Sequence, residues 1–190
     1  MKKEKFTILL FCLIYTVLSI VCFVNVKETA FFNIIQFIIL YIPFFACIII
    51  EKKKWALYLT LFFSGLEFLT GMFGLIINTY TLIKVSQEQT IVYALIENFL
   101  RIIIGGTLIS EIISILKNSK KNLNKIIIGL IIILFIVLCY DMCVVTVWAP
   151  ESKLISALSI SRGYLFIIII SLITIFSYYD KNFENNNESN

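Results

Sequence analysis

The chain contains no histidine. That absence removes Ser-His and Cys-His nucleophile pairs, histidine-ligated metals and histidine-ligated haem together. None of its seven glycines lies in a phosphate-binding loop, and no nucleotide-binding motif occurs. The chain therefore cannot couple ATP hydrolysis to anything by itself. Five cysteines are present without a CxxC spacing: Cys12, Cys22, Cys47, Cys139 and Cys143 all fall within apolar runs, where packing is their ordinary use. Cys139 and Cys143 share a helical face, but at 100° per residue Asp141, the acid between them, points away from it. The pattern calls for no metal and no cofactor.

Apolar residues dominate. They make up 60% of the 190 residues, and the mean hydropathy is +0.97. The apolar runs are longer than a soluble core helix needs, which places the chain among integral membrane proteins of the all-α class. Six segments are predicted to span the bilayer: 6–24, 31–50, 55–78, 91–116, 126–148 and 155–179. Each holds about 20 residues or more, enough for a hydrocarbon core of roughly 30 Å. The first follows MKKEK in the manner of a signal peptide, but bulky Phe23-Val24-Asn25 stands where small residues would mark cleavage, and it is read as a retained span. A single six-helix transmembrane domain then occupies residues 1–179. The longest connection is expected at residues 79–90, and the Asn-rich tail 180–190 is expected to be a disordered cytoplasmic segment.

Lysine placement sets the orientation, because translocated short loops avoid basic residues. Eleven lysines lie in one set of connections (Lys2, Lys3, Lys5, Lys52, Lys53, Lys54, Lys117, Lys120, Lys121, Lys125, Lys181) and three in the other (Lys27, Lys84, Lys153). Both termini are thereby predicted to be cytoplasmic, in a multi-pass protein of the plasma or inner cell membrane. Trp55 and Tyr178-Tyr179 suit the inner interface, and Trp148, Tyr80 and Tyr93 the outer one. The net charge of +4 is a topology signal, with lysines dispersed over four segments and no basic face for nucleic acid.

Five ionisable residues interrupt the apolar runs: Glu67, Glu97, Arg101, Asp141 and Arg162. Charge in hydrocarbon is costly and marks a paired or functional position. On the third span Thr60, Ser64, Glu67, Gly71, Gly74 and Asn78 recur at helical spacing, a small and polar stripe suited to a helix–helix face. Glu67 lies roughly 18 Å from the inner edge, near the midplane. Glu97 precedes Arg101 by four residues, the favourable order for an ion pair within a helix. Glu111 falls close to Lys117, Lys120 and Lys121 and is expected to be a solvated or interfacial acid. Depth matching pairs Asp141 with Arg162, each roughly 10 Å below the outer edge. Ser159, Ser161, Gly163 and Tyr164 surround Arg162, and Asn33 and Gln36 reach similar depth on the second span.

Three acids and two bases share this region. If Glu97 takes Arg101 and Asp141 takes Arg162, Glu67 is left over, unless Arg101 serves both glutamates. The expected ligand-binding set is Glu67, Arg101, Glu97, Arg162, Asp141, Asn33 and Gln36, lining an outward-facing cavity with Glu67 at its floor. The leading expectation is a small-molecule or ion binding and transport component whose ligand can be a cation. The alternative is an accessory, regulatory or immunity-type membrane subunit whose charges are structural or meet a membrane protein partner. A membrane-embedded enzyme using Glu67 as acid or base ranks third, since histidine and a paired-aspartate signature are both missing. In size and topology the chain resembles the six-helix substrate-binding subunits of energy-coupling-factor vitamin transporters. It departs from them in the first helix, where Thr7-Ile8-Leu9-Leu10-Phe11-Cys12-Leu13-Ile14 carries no spaced alanines.

Overall fold

The computed structural model describes residues 2–25, 38, 41–50, 53–85, 88–119, 121–148 and 153–187. Regular structure among the described residues is helical throughout. Its helices are α1 (Lys2–Asn25), α2 (Ile42–Ile49), α3 (Lys53–Val85), α4 (Glu88–Leu116), α5 (Asn124–Trp148) and α6 (Lys153–Asn187). Helices are what such a sequence must form if lipid surrounds it, because each backbone donor and acceptor is then satisfied within its own segment. Pro43 sits in the first turn of α2, where its missing N–H costs nothing.

Four stretches are long and apolar enough to cross a membrane: Lys54–Ile83, Ala94–Leu116, Asn124–Cys143 and Ser161–Tyr179. They belong to α3, α4, α5 and α6. The apolar stretch of α1, Phe6–Cys22, is shorter. Of the expected second span the structure describes Ile38 and residues 41–50, and Asn33 and Gln36 lie outside the described residues. The connection expected over residues 79–90 is largely helical, since α3 continues to Val85 and α4 begins at Glu88. Residues 79–90 contain neither glycine nor proline, so helix extends into them from both sides. For the same reason α6 continues past Tyr179 to Asn187, through most of the tail expected to be unstructured.

α6 is the central helix, touching α1, α3, α4 and α5. It is buried on several sides, with Ile167, Ile169, Ile170, Ser171, Ile173, Thr174 and Ile175 all in the interior. The core continues through Leu108, Ile112 and Ile115 of α4 and Ile127, Leu130 and Leu134 of α5. By contrast Ile132, Phe135 and Ile136 on the opposite side of α5 are more than half exposed, as are Phe73, Ile76 and Ile77 on α3. A water-soluble monomer does not present apolar faces of this length; a helix bundle in lipid does. Cys139 and Cys143 lie on this exposed surface, whereas Cys12 and Cys22 are buried.

The turn from α4 to α5 is tightly specified. Asn118 has φ 55°, the left-handed conformation that asparagine tolerates best after glycine. Ser119 N–H reaches Ser114 O at 2.9 Å and Asn118 N–H reaches Ile115 O at 3.3 Å, the paired closure of a Schellman motif. This turn folds back over Glu111, which is fully buried and accepts the Leu123 N–H on Oε2 at 3.2 Å. The expectation of a solvated acid is therefore corrected: the carboxylate is turned inward to the Leu123 N–H, just ahead of α5. Lys117 and Lys121 stay outside, with Lys121 Nζ donating to Ser110 Oγ at 2.5 Å.

α3 and α4 pack most closely of all, and their glycines explain why. A Cβ at Gly71 would lie 2.8 Å from the Asn98 carbonyl oxygen, and one at Gly105 would lie 2.8 Å from Phe68 N and 2.9 Å from Ser64 O. Both obstacles are backbone, which cannot rotate away. At Gly65 and Gly129 a Cβ would meet nothing within 4 Å. Gly71→Ala and Gly105→Ala should each destabilise the folded protein by about 1–3 kcal/mol, the cost of overpacking. Gly65→Ala and Gly129→Ala should be neutral or raise stability by up to about 1 kcal/mol through helix propensity. Thermal unfolding of the four variants in one detergent checks the contrast, and a uniform response would contradict it.

Candidate functional site

The small-residue stripe of α3 faces inward over much of its length. Thr60 and Ser64 are fully buried, each returning its hydroxyl to the carbonyl four residues back, at 2.7 and 2.8 Å. Gly71 and Gly74 lie against Asn98 of α4. Between them Glu67 projects from near the middle of the Lys54–Ile83 span. The close approach brings it to Arg101, whose Nη1 donates to Glu67 Oε2 at 2.7 Å.

Arg101 is shared. Its Nη2 donates to Glu97 Oε1 at 2.8 Å and its Nε to the same oxygen at 3.2 Å. One guanidinium fork thus holds a carboxylate from its own helix and one from the neighbour, a use suited to arginine's fixed planar set of donors. Glu67 is accordingly not left over; the arrangement is the one in which Arg101 serves both acids. All three side chains keep some access, at 20% for Arg101, 18% for Glu67 and 30% for Glu97.

The second expected pair is corrected. Asp141 on α5 takes its hydrogen bond from Tyr164 on α6, with 2.6 Å from the phenol oxygen to Oδ2, and makes no ion pair with Arg162 among the described residues. Depth matching did place α5 beside α6 at this level. It missed that Tyr164, two residues further along the helix, offers the donor. Asp141 and Tyr164 lie within electrostatic range of Glu97 and Arg101, and Tyr15 of α1 lies within range of both Glu67 and Arg162. The five interior charges therefore occupy one region, contributed by α3, α4, α5 and α6. Three carboxylates against Arg101 leave a formal charge of −2, and Arg162 brings the total to −1.

An aromatic layer adjoins this region. Phe63, one turn before Glu67, packs edge-on against Phe166 of α6 at 4.8 Å and against Phe44 of α2 at 5.4 Å. Tyr15 meets Phe166 at 5.5 Å and Tyr41 at 4.6 Å. Tyr41 in turn donates to the Cys12 carbonyl at 2.8 Å, tying the start of α2 to α1. The layer lies toward the Lys53 end of α3, leaving the charges on its other side.

The structure thus brings Glu67, Glu97, Arg101 and Asp141 together, places Arg162 within electrostatic range of Tyr15, and leaves Asn33 and Gln36 outside the described residues. Tyr164, Tyr15 and Asn98 are the members that spacing of charged residues alone does not select. Four apolar helices enclosing a charged interior define a helical integral membrane protein. No protein-family model, curated protein or solved structure matches the chain.

The shared arginine has an energetic consequence. Removing it strands two partly buried carboxylates, a loss of the kind that costs about 3–5 kcal/mol, whereas neutralising one glutamate leaves the other pair intact. Arg101→Met should lower the thermal midpoint well below that of Glu67→Gln or Glu97→Gln. Adding both glutamine substitutions to Arg101→Met should recover much of the loss, because the three groups act as one unit. Additive effects in that cycle would show that the three groups are energetically independent.

Proposed function

We propose that the charged region is the floor of a polar cavity, centred on Glu67, that binds a small cation or cationic molecule in a transport or binding component of the cell membrane. The observation that carries this reading is the gathering of three carboxylates from three different helices, two on Arg101 and the third on Tyr164, with net negative charge even when Arg162 is counted and with residual access, inside a bundle whose outer faces are apolar. Groups placed only to hold helices together would gain from full neutralisation; a surplus of acid in hydrocarbon is stabilised by a positive ligand.

On this reading the protein crosses the membrane six times, with α1 and the 31–50 segment as the first two spans and both termini in the cytoplasm. The lysine distribution supports that orientation. The aromatic layer of Phe44, Phe63 and Phe166 then lies on the cytoplasmic side of Glu67 and closes the cavity from within, so the cavity opens outward.

A second reading has its own support. Because Arg101 satisfies both glutamates, the region is also suited to pinning α3 to α4 in an accessory or regulatory subunit that works through a partner protein. The two readings part on water. In a variant free of native cysteines, Met142→Cys, next to Asp141, should react with a membrane-impermeant thiol reagent applied from outside. Glu67→Gln should weaken pH- or cation-dependent behaviour of the reconstituted protein by tenfold or more while leaving it folded. An inert Met142→Cys, together with a silent Glu67→Gln, would reject the cavity and favour the subunit.

A further inference from the structure

Glu111 and Asn124 meet at the turn between α4 and α5, away from Arg101. Glu111 Oε2 is engaged by the Leu123 N–H, but Oε1 has no partner among the described residues. Asn124, the next residue, is 1% exposed, and neither its Oδ1 nor its Nδ2 has a partner there, while its backbone N–H is taken by Asn122 Oδ1 at 3.1 Å. Two buried oxygens, one from the last turns of α4 and one from the first residue of α5, are thus unsatisfied. Such groups each cost about 1–3 kcal/mol, and more where charge is involved.

We propose that Glu111 Oε1 and Asn124 Oδ1 bind a small monovalent cation of the sodium class. The local charge favours it. The α4 C-terminus contributes roughly −0.5 and the α5 N-terminus roughly +0.5, so the two dipole ends offset each other and the carboxylate charge remains. Lys121, the exposed lysine within electrostatic range among the described residues, spends its ammonium on Ser110 Oγ and not on the carboxylate. Carboxylate and amide oxygens are hard ligands suited to hard cations. A single carboxylate matches one positive charge, whereas calcium draws six to eight oxygens and more acidic charge. Among the described residues no three acidic or cysteine side chains gather as a metal site, which argues against a divalent centre at this turn.

The competing occupants account for less. A bridging water would donate to both oxygens but leave the carboxylate charge buried and uncompensated. A proton on Oε1 would remove the charge, but it would do so by leaving a neutral carboxyl group whose new donor needs a partner of its own. A cation satisfies both oxygens and the charge together, and it fastens the α4–α5 turn.

This inference does not rest on the transport reading, and its test needs no transported ligand. The full chain, purified in detergent, is unfolded thermally in sodium chloride and in choline chloride at equal ionic strength, with its tryptophan fluorescence as the signal. Sodium at ten times its dissociation constant should raise the midpoint by about 3–6 °C over choline, saturably. Glu111→Gln and Asn124→Ala should abolish the difference, and Asn124→Asp should preserve it at lower sodium concentration. Should Glu111→Gln fail to fold, Asn124→Ala carries the comparison. Equal midpoints of the wild-type chain in the two salts, or a sodium response that survives in Asn124→Ala, would overturn the proposal.

Discussion

The charged groups around Arg101 are arranged on the contact between α3 and α4. Two helices that approach closely at glycine place a guanidinium from one against a carboxylate of the other, and at 2.7 Å the pair has little freedom to separate. Close packing and the ion pair depend on each other. Without Gly71 and Gly105 the helices would stand further apart, and Arg101 would lose Glu67; without Arg101, two carboxylates would oppose the same packing. The second carboxylate, Glu97, holds the arginine side chain from within its own helix, so the fork is already aligned when it meets Glu67.

α6 extends this arrangement to the rest of the bundle. Its buried sides receive α1, α3, α4 and α5, and Tyr164 and Phe166 join the charged region and the aromatic layer on one helix. The polar and aromatic zones are therefore successive levels of one interior.

How much of this was legible beforehand varied with the kind of signal. Apolar run length marked the four long spans, because it is set by local composition alone. The α3 stripe was legible from its 3-and-4 spacing, and the Glu97 to Arg101 pair from its separation of four. What failed were relations between helices. Asp141 was matched by depth to the basic residue at its level, but a phenol within reach is as good a donor and brings no second charge into the interior. Glu111 read as interfacial because its neighbours in sequence are lysines; its actual partner, the Leu123 N–H, lies twelve residues on, across a turn. Helix ends were overrun at residues 79–90 and after Tyr179, since polar composition marks where lipid stops and not where a helix stops.

The length of α3 ties this interior to the bilayer. The 30 residues of Lys54–Ile83 would rise about 45 Å, against roughly 30 Å of hydrocarbon, with Asn78, Thr79 and Thr81 near the far end. A helix longer than the hydrocarbon tilts, thickens the lipid around it or carries its polar end beyond the bilayer core. Since α3 carries Glu67 and is locked to α4, any change in tilt moves the carboxylate and its arginine together. Bilayer thickness thereby becomes a variable that sets the depth of the charged region, and membranes of different lipid composition would hold the same ion pair at different distances from water.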